Sequence, residues 1–177
     1  MKITQMTKDI SNNRPMTDEE ELRRGIELLF FAYRDFLSDS DAVLEKHRFG
    51  RAHHRVIYFV GRYPHLNVGQ LLSILKITKQ SLARVLKKLI ETGFIVQKTS
   101  SHDHRQRLLE LTEKGLKLEQ QLWETQRRRI EKAYQHSPEA VDGYCKTLLG
   151  MVNETDRDRI VEYGLNPGHS LHILKRR

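Results

Sequence analysis

The sequence has a single cysteine, Cys145, so no disulfide can close within the chain, a composition that fits a reducing compartment. Long apolar runs are missing as well. The longest, Leu28 to Tyr33 and Val56 to Val60, fall far short of the roughly 20 residues that a membrane-spanning helix needs. Residues Met1 to Arg14 hold no apolar core of a secretory signal, and the expectation is a cytoplasmic protein with no membrane partner. Catalytic signatures are lacking too: there is no Ser-His-Asp arrangement, glycine-rich phosphate loop or H-E-x-x-H helix, so the chain reads as a non-enzyme without a cofactor. Acidic charge is in short supply, with 23 Asp and Glu against 31 Lys and Arg and a net charge of +8. That excess favours a polyanionic partner, because each phosphate contact by Lys or Arg releases counterions.

The positive charge is not spread evenly. Between Lys76 and Arg107 stand eight Lys or Arg and two acidic residues, so most of the net charge falls in this stretch. Asn67 precedes the apolar positions Leu71, Leu72 and Leu75 with Gln70 three residues on, a capping box, and Leu66 and Leu71 are placed as a hydrophobic staple. The spacing predicts a short helix, a turn at Lys76 and Ile77, and a second helix capped by Thr78. In that helix Leu82, Val85, Leu86 and Leu89 recur on one face, while Lys79, Gln80, Ala83, Arg84, Lys87 and Lys88 occupy the other. Gly93 suits the position just past the helix end. Phe94, Ile95 and Val96 then open a hairpin whose second arm holds Leu109 and Leu111, with a polar loop from Thr99 to Arg105. A basic helical face is most often a solvated surface. Here the preceding short helix, the following hairpin and the local charge favour a helix that enters a DNA major groove beside a loop that touches backbone or minor groove. No aromatic residue interleaves Lys79 to Lys88, which favours duplex over single-stranded nucleic acid.

Elsewhere the pattern is helical, and the expected fold is mainly α: a winged helix-turn-helix with a small β-hairpin wing and an α-helical dimerisation region. A mobile N-terminal segment, 1–16, precedes a capping box at Thr17 and Glu20 that starts a long helix with Leu22, Ile26, Leu29, Phe30, Tyr33 and Phe36 as its apolar positions. Short helices are expected over Asp39 to Lys46 and over Arg51 to Arg62, the latter ended near Pro64. Thr112 begins a long helix to about Gln135, with Leu116, Leu122, Ile130 and Tyr134 as buried candidates. Ser137 and Pro138 start a last helix striped by Val141, Tyr144, Cys145, Leu148 and Val152. The DNA-binding lobe is thus placed at 49–111, the dimerisation region at 17–48 and 112–165, and a tail at 166–177. The long helices carry more apolar stripe than a small lobe can cover, and a second copy of the chain is the simplest cover. An intramolecular bundle would bury the same stripes in a monomer.

The run LKITKQSLARVLKKLIETGFIVQKTSSHDHRQRLLELTEKG, Leu75 to Gly115, closely resembles the recognition helix, wing and following helix start of MarR-family transcriptional regulators, and flanking helices extend the similarity from about Thr17 to Tyr163. Its most specific elements are Asp103-x-Arg105 in the wing and Leu111-Thr112-Glu113-Lys114-Gly115. A fainter similarity is to the branch that controls cell-wall L,D-transpeptidase genes. The resemblance implies a homodimer on a palindromic operator, often released by small phenolic or other aromatic ligands. It places Thr78, Lys79, Gln80, Ser81 and Arg84 toward the major groove and Arg105 in the minor groove, with Asp103 holding Arg105. Lys76 departs from the family pattern, which commonly has glycine there. By side-chain chemistry, Gln80 suits adenine and Arg84 guanine, whereas Lys87, Lys88 and Lys98 suit phosphate.

Aromatic and basic groups on the first and second major helices, near the junction of dimerisation arm and DNA-binding lobe, Phe30, Tyr33, Arg34, His54 and Tyr58, could line a pocket for a small aromatic effector, or be core residues with a bridging histidine. His102 and His104 could bind metal, but no cysteine or acidic cluster completes a site, and no metal is expected. Cys145 lies on an apolar stripe and reads as a buried structural thiol rather than a sensor. The rival to a DNA-binding regulator is a winged-helix adaptor that binds protein or RNA without operator recognition.

Overall fold

The computed structural model describes residues 18–99 and 106–157. The order is α1 (Glu19–Ser38), α2 (Asp41–Glu45), α3 (Arg51–Arg62), α4 (Val68–Leu75), α5 (Lys79–Glu91), β1 (Ile95–Thr99), β2 (Arg107–Leu111), α6 (Glu113–His136) and α7 (Val141–Met151), with a 3₁₀ turn over Pro138–Ala140 before α7. The architecture is mainly helical with one two-stranded antiparallel hairpin, as the patterning predicts. Two compact units, 1–126 and 127–177, divide the chain within α6.

In the first unit the helix starts follow their local chemistry. The Asn67 carboxamide accepts from the Gln70 N–H and Gln70 returns the bond to the Asn67 N–H, both at 2.9 Å, so the reciprocal cap of α4 forms as expected. Thr78 caps α5 by accepting from the Ser81 N–H at 3.1 Å. Thr112 caps α6 the same way, accepting from the Gly115 N–H at 3.0 Å. The start of α1 differs from expectation. Asp18, not Thr17, is the cap: its carboxylate accepts from the Glu20 N–H at 3.1 Å, and Thr17 lies outside the described residues. A carboxylate at this end also meets the positive pole of the helix.

Leu71, Leu82, Leu89, Ile57 and Leu109 are fully buried together, and Leu44 of α2 and Leu118 and Leu122 of α6 belong to the same core. The first unit is therefore wider than the 49–111 lobe. The hairpin pairs Ile95 with Leu111 through Thr99 with Arg107. Chain from the α3–α4 connection extends it: the Leu109 N–H donates to the Leu66 carbonyl at 2.9 Å and Asn67 bridges Leu108, which fixes the wing root to the start of α4.

Along α6 the buried positions are Gly115, Leu118, Leu122 and Gln126. Leu116, expected in the core, is 53% exposed and Trp123 45%. The spacing explains this, since Leu116 sits about 100° around the helix from Gly115 and lies with Trp123, seven residues on, along a different face. Apolar positions of α1 are also open to solvent: none of its residues is buried, and Ile26 is 70% exposed. In the second unit Ile130 and Tyr134 are only half-buried, and the stripe of α7 holds no buried residue. Ser137 makes no side-chain cap there. Cys145 is half-buried, its sulfur 3.9 Å from the Tyr134 hydroxyl. Burial, with that thiol beside it, pushes the Tyr134 phenol up to about 12.

Candidate nucleic-acid interface

The turn between α4 and α5 sets which way the basic helix faces. Lys76 takes the left-handed conformation there, φ 50° and ψ 41°, and its N–H closes the last turn of α4 on the Leu72 carbonyl at 2.9 Å. The expected turn is present without glycine. Two residues later Thr78 starts α5, whose apolar face packs Leu82, Val85, Leu86 and Leu89 into the core. The opposite face is bare: Lys79, Gln80, Ser81, Ala83, Arg84 and Lys87 are all exposed.

These side chains are not equally available. Thr78 gives its hydroxyl proton to the Ser81 hydroxyl at 2.8 Å while accepting the Ser81 N–H, so the Ser81 hydroxyl keeps its own hydrogen for an outside acceptor. Lys79, Gln80 and Arg84 have no hydrogen bond or ion pair among the described residues. Lys87 pairs loosely with Glu91, 3.8 Å away, one helical turn on.

Lys88 is placed differently from these. Expected on the phosphate-facing side, it is half-buried, donates to the Arg48 carbonyl, and lies 5.3 Å from the centre of the Phe49 ring. Its ammonium is engaged by the lobe's own backbone and ring. Lys98 on the wing is exposed but paired with Glu110, which also holds the His65 ring at 3.0 Å. The Lys98 ammonium holds the Glu110 carboxyl below its ordinary value, with His65 adding to the effect. Sequence patterning does not foresee this link, because His65 reaches Glu110 only through a connection with φ 70° that lays it against β2. Arg105, Asp103, His102 and His104 lie outside the described residues.

The residues expected to line an effector pocket divide. The Tyr33 hydroxyl accepts from Arg55 of α3 at 3.4 Å. Arg34 pairs with Asp35 at 2.8 Å and lies 4.9 Å over Phe31, while Phe30 is edge-on to Phe31 at 5.4 Å. His54 is buried, with Nδ1 3.2 Å from the Ser40 hydroxyl, and Tyr58 packs edge-on against Phe59 at 5.2 Å. Among the described residues no hydrogen bond, ion pair or ring contact joins His54 or Tyr58 to Phe30, Tyr33 or Arg34. A shallow groove of about 320 Å³ lies elsewhere, between Asn67, Val68 and Gly69 at the start of α4 and Gln106 and Arg107 of the wing. No helix among the described residues is long and apolar enough to cross a membrane.

Comparison with known proteins gives this geometry its context. A family model described as MarR family matches residues 49–106, which run from the start of α3 into the wing. The HTH-type transcriptional regulator PetP of Rhodobacter capsulatus is 48% identical over 140 residues, covering 78% of this chain and 84% of that protein. Among solved structures, Streptococcus pneumoniae FabT in complex with DNA has a TM-score of 0.63 at 23% identity, covering 80% of this chain and 97% of that one. The transcriptional regulator SlyA has a TM-score of 0.62 at 17% identity, covering 78% and 96%. Matching fold, motif and near-full-length relative agree: the chain belongs to the MarR family of helix-turn-helix transcriptional regulators.

Proposed function

We propose that the chain regulates transcription as a sequence-specific double-stranded DNA-binding protein, a cytoplasmic homodimer on a pseudo-palindromic operator whose affinity is modulated by a small aromatic ligand. The observation that carries this reading is the open first two turns of α5, where Lys79, Gln80 and Arg84 stand exposed on a helix whose other face is locked in the core. In a major groove Gln80 pairs bidentately with adenine and Arg84 with guanine. Thr78, Ser81, Lys79 and Lys87 serve phosphates or base edges near the helix start, and Lys98 reaches phosphate by exchanging Glu110 for it. Arg105, oriented by Asp103, is assigned to the minor groove.

The dimer reading is supported by the open apolar positions Leu22, Ile26, Leu29, Phe30 and Tyr33 on α1, which a second copy would cover. For the effector, the exposed rings of Phe30 and Tyr33 beside Arg34 suit an aromatic acid, whereas on α3 His54 is buried and Tyr58 half-buried.

The test is a footprint on genomic DNA followed by titration of the protected duplex and a scrambled duplex. A protected inverted repeat is expected, and Arg84→Ala should weaken operator binding by roughly 10- to 100-fold while costing much less on scrambled DNA. Equal losses on both duplexes refute base reading by Arg84. Millimolar salicylate should lower operator affinity; an unchanged titration removes aromatic acids from the proposal.

A further inference from the structure

Helices α2 and α5 end alike. After α5 the Gly93 N–H donates to the Ile90 carbonyl at 3.0 Å and the Phe94 N–H to the Leu89 carbonyl at 2.8 Å, with Gly93 at φ 76°. After α2 the Arg48 N–H donates to Glu45 at 2.8 Å and the Phe49 N–H to Leu44 at 3.0 Å, with Arg48 at φ 54°. Both are Schellman ends, and each sends the next residue, a phenylalanine, into the core. The two rings meet edge to face at 5.1 Å.

A lysine lies over each ring. Lys88 of α5 covers Phe49 and donates to the Arg48 carbonyl. Lys114 of α6 lies 4.3 Å from the centre of Phe94 and donates to the Thr92 carbonyl at 2.9 Å. Carbonyls at a helix end have no partner within the helix and carry the negative pole of its dipole, so an ammonium answers both needs. The aromatic faces add a cation–π attraction, with Lys88 half-buried and Lys114 exposed. The outcome is a double clasp: α5 is tied backward to α2 through Lys88, and α6 is tied to the end of α5 through Lys114.

We propose that Lys88 and Lys114 are positioning residues for DNA reading, fixing the pitch of α5 against α2 and α6 so that Lys79, Gln80 and Arg84 are presented in one orientation. This rests on the DNA-reading role proposed above. A lysine committed to a carbonyl and a ring within the lobe contributes no counterion release, which separates it from a phosphate ligand.

Lysine acylation of the wild-type protein, with and without operator, reads the clasp directly. Lys79 and Lys87 should react quickly in free protein and be protected by DNA, whereas half-buried Lys88 and exposed Lys114, each holding a carbonyl, should react more slowly than these in free protein and gain little protection from DNA. Fast reaction of Lys88 in free protein, with protection only on DNA, overturns the proposal. Because the free protein already reports the clasp, a wild-type protein without operator preference would count against the DNA reading and not against the contacts. In titrations across salt, Lys88→Met and Lys114→Met should each lower operator affinity roughly tenfold with the slope of log K against log salt unchanged, and Lys88→Arg should restore most of the loss. Lys87→Ala should make that slope shallower by about 0.9. A Lys88→Met slope that falls as for Lys87→Ala, or an affinity that does not fall at all, defeats the positioning role. Should one methionine variant fail to fold, the other carries the same comparison.

Discussion

His53 and His54 stand side by side on α3 and carry their protons on opposite nitrogens. Nδ1 of His53 accepts from the Gly50 N–H at 3.1 Å, so its hydrogen is on Nε2. The Ser40 hydroxyl gives its one hydrogen to the Leu37 carbonyl at 3.1 Å, so Nδ1 of His54, 3.2 Å away, must donate to that oxygen. Both rings are held neutral: burial is the main cause in each, with Lys88 also disfavouring the charged form of His53 and Arg55 that of His54. A histidine whose folded pKa lies below its unfolded value stabilises the fold fully above the unfolded value near 6.5, and the unfolded chain takes up more protons as pH falls below it. Stability should therefore decline on acidification through pH 6.5, and the urea midpoint at pH 5.5 should lie below that at pH 7.5. His54→Asn keeps a donor toward Ser40 without a titrating ring, so its two midpoints should lie closer together; a gap as wide as wild type would show that His54 does not contribute. None of this is readable from the sequence, which shows His54 beside aromatic positions but cannot show that Ser40, 14 residues earlier, has already committed its hydrogen.

Elements were legible where the cause is local. The caps at Asn67, Thr78 and Thr112 each need only a side chain and an N–H three residues away, and all three form. The faces of α5 follow from spacing alone. What spacing could not settle is which of several apolar faces of α6 packs, because that depends on what stands opposite. Gly115 supplies the answer: a Cβ there would lie 2.1 Å from the Phe94 carbonyl oxygen and 3.2 Å from Leu111. The backbone of α6 thus docks directly on the start of β1, and Leu118 and Leu122 follow it inward while Leu116 turns out. Gly115→Ala should destabilise the protein by about 3 kcal/mol, because backbone must move to make room. Gly61→Ala should cost less, since its Cβ would meet the side chains of Leu111 at 2.9 Å and Glu119 at 3.1 Å, which can shift. Denaturant titration of the two variants tests the order; equal losses would mean that the α6 docking is not rigid. Lys88 belongs to the same lesson. Its register on α5 places it with the basic residues, and only the left-handed turn at Arg48 brings a carbonyl within its reach.

At the scale of the molecule, the apolar residues left uncovered carry the argument. On α1 Leu22, Ile26, Leu29 and Tyr33 recur at helical spacing along one side, and Leu28 and Phe31 lie around the helix from them, yet all six are exposed. A helix apolar on more than one side is suited to be gripped from more than one direction. Interlocked copies would bury these faces and tether two reading helices, and the second head then binds at a raised effective concentration, worth 10²- to 10⁴-fold in total affinity. Ile26→Asp tests this cleanly, because Ile26 is 70% exposed in the single chain and its loss should leave the lobe folded. Analytical ultracentrifugation should then show wild type at twice the chain mass and the variant at the chain mass, with unchanged helical circular dichroism. Binding to a full inverted repeat should weaken by about two orders of magnitude, whereas binding to a half-site should barely change. A variant that stays dimeric would place the interface away from Ile26. One that is monomeric yet binds the full repeat as tightly as wild type would break the link between pairing and operator recognition.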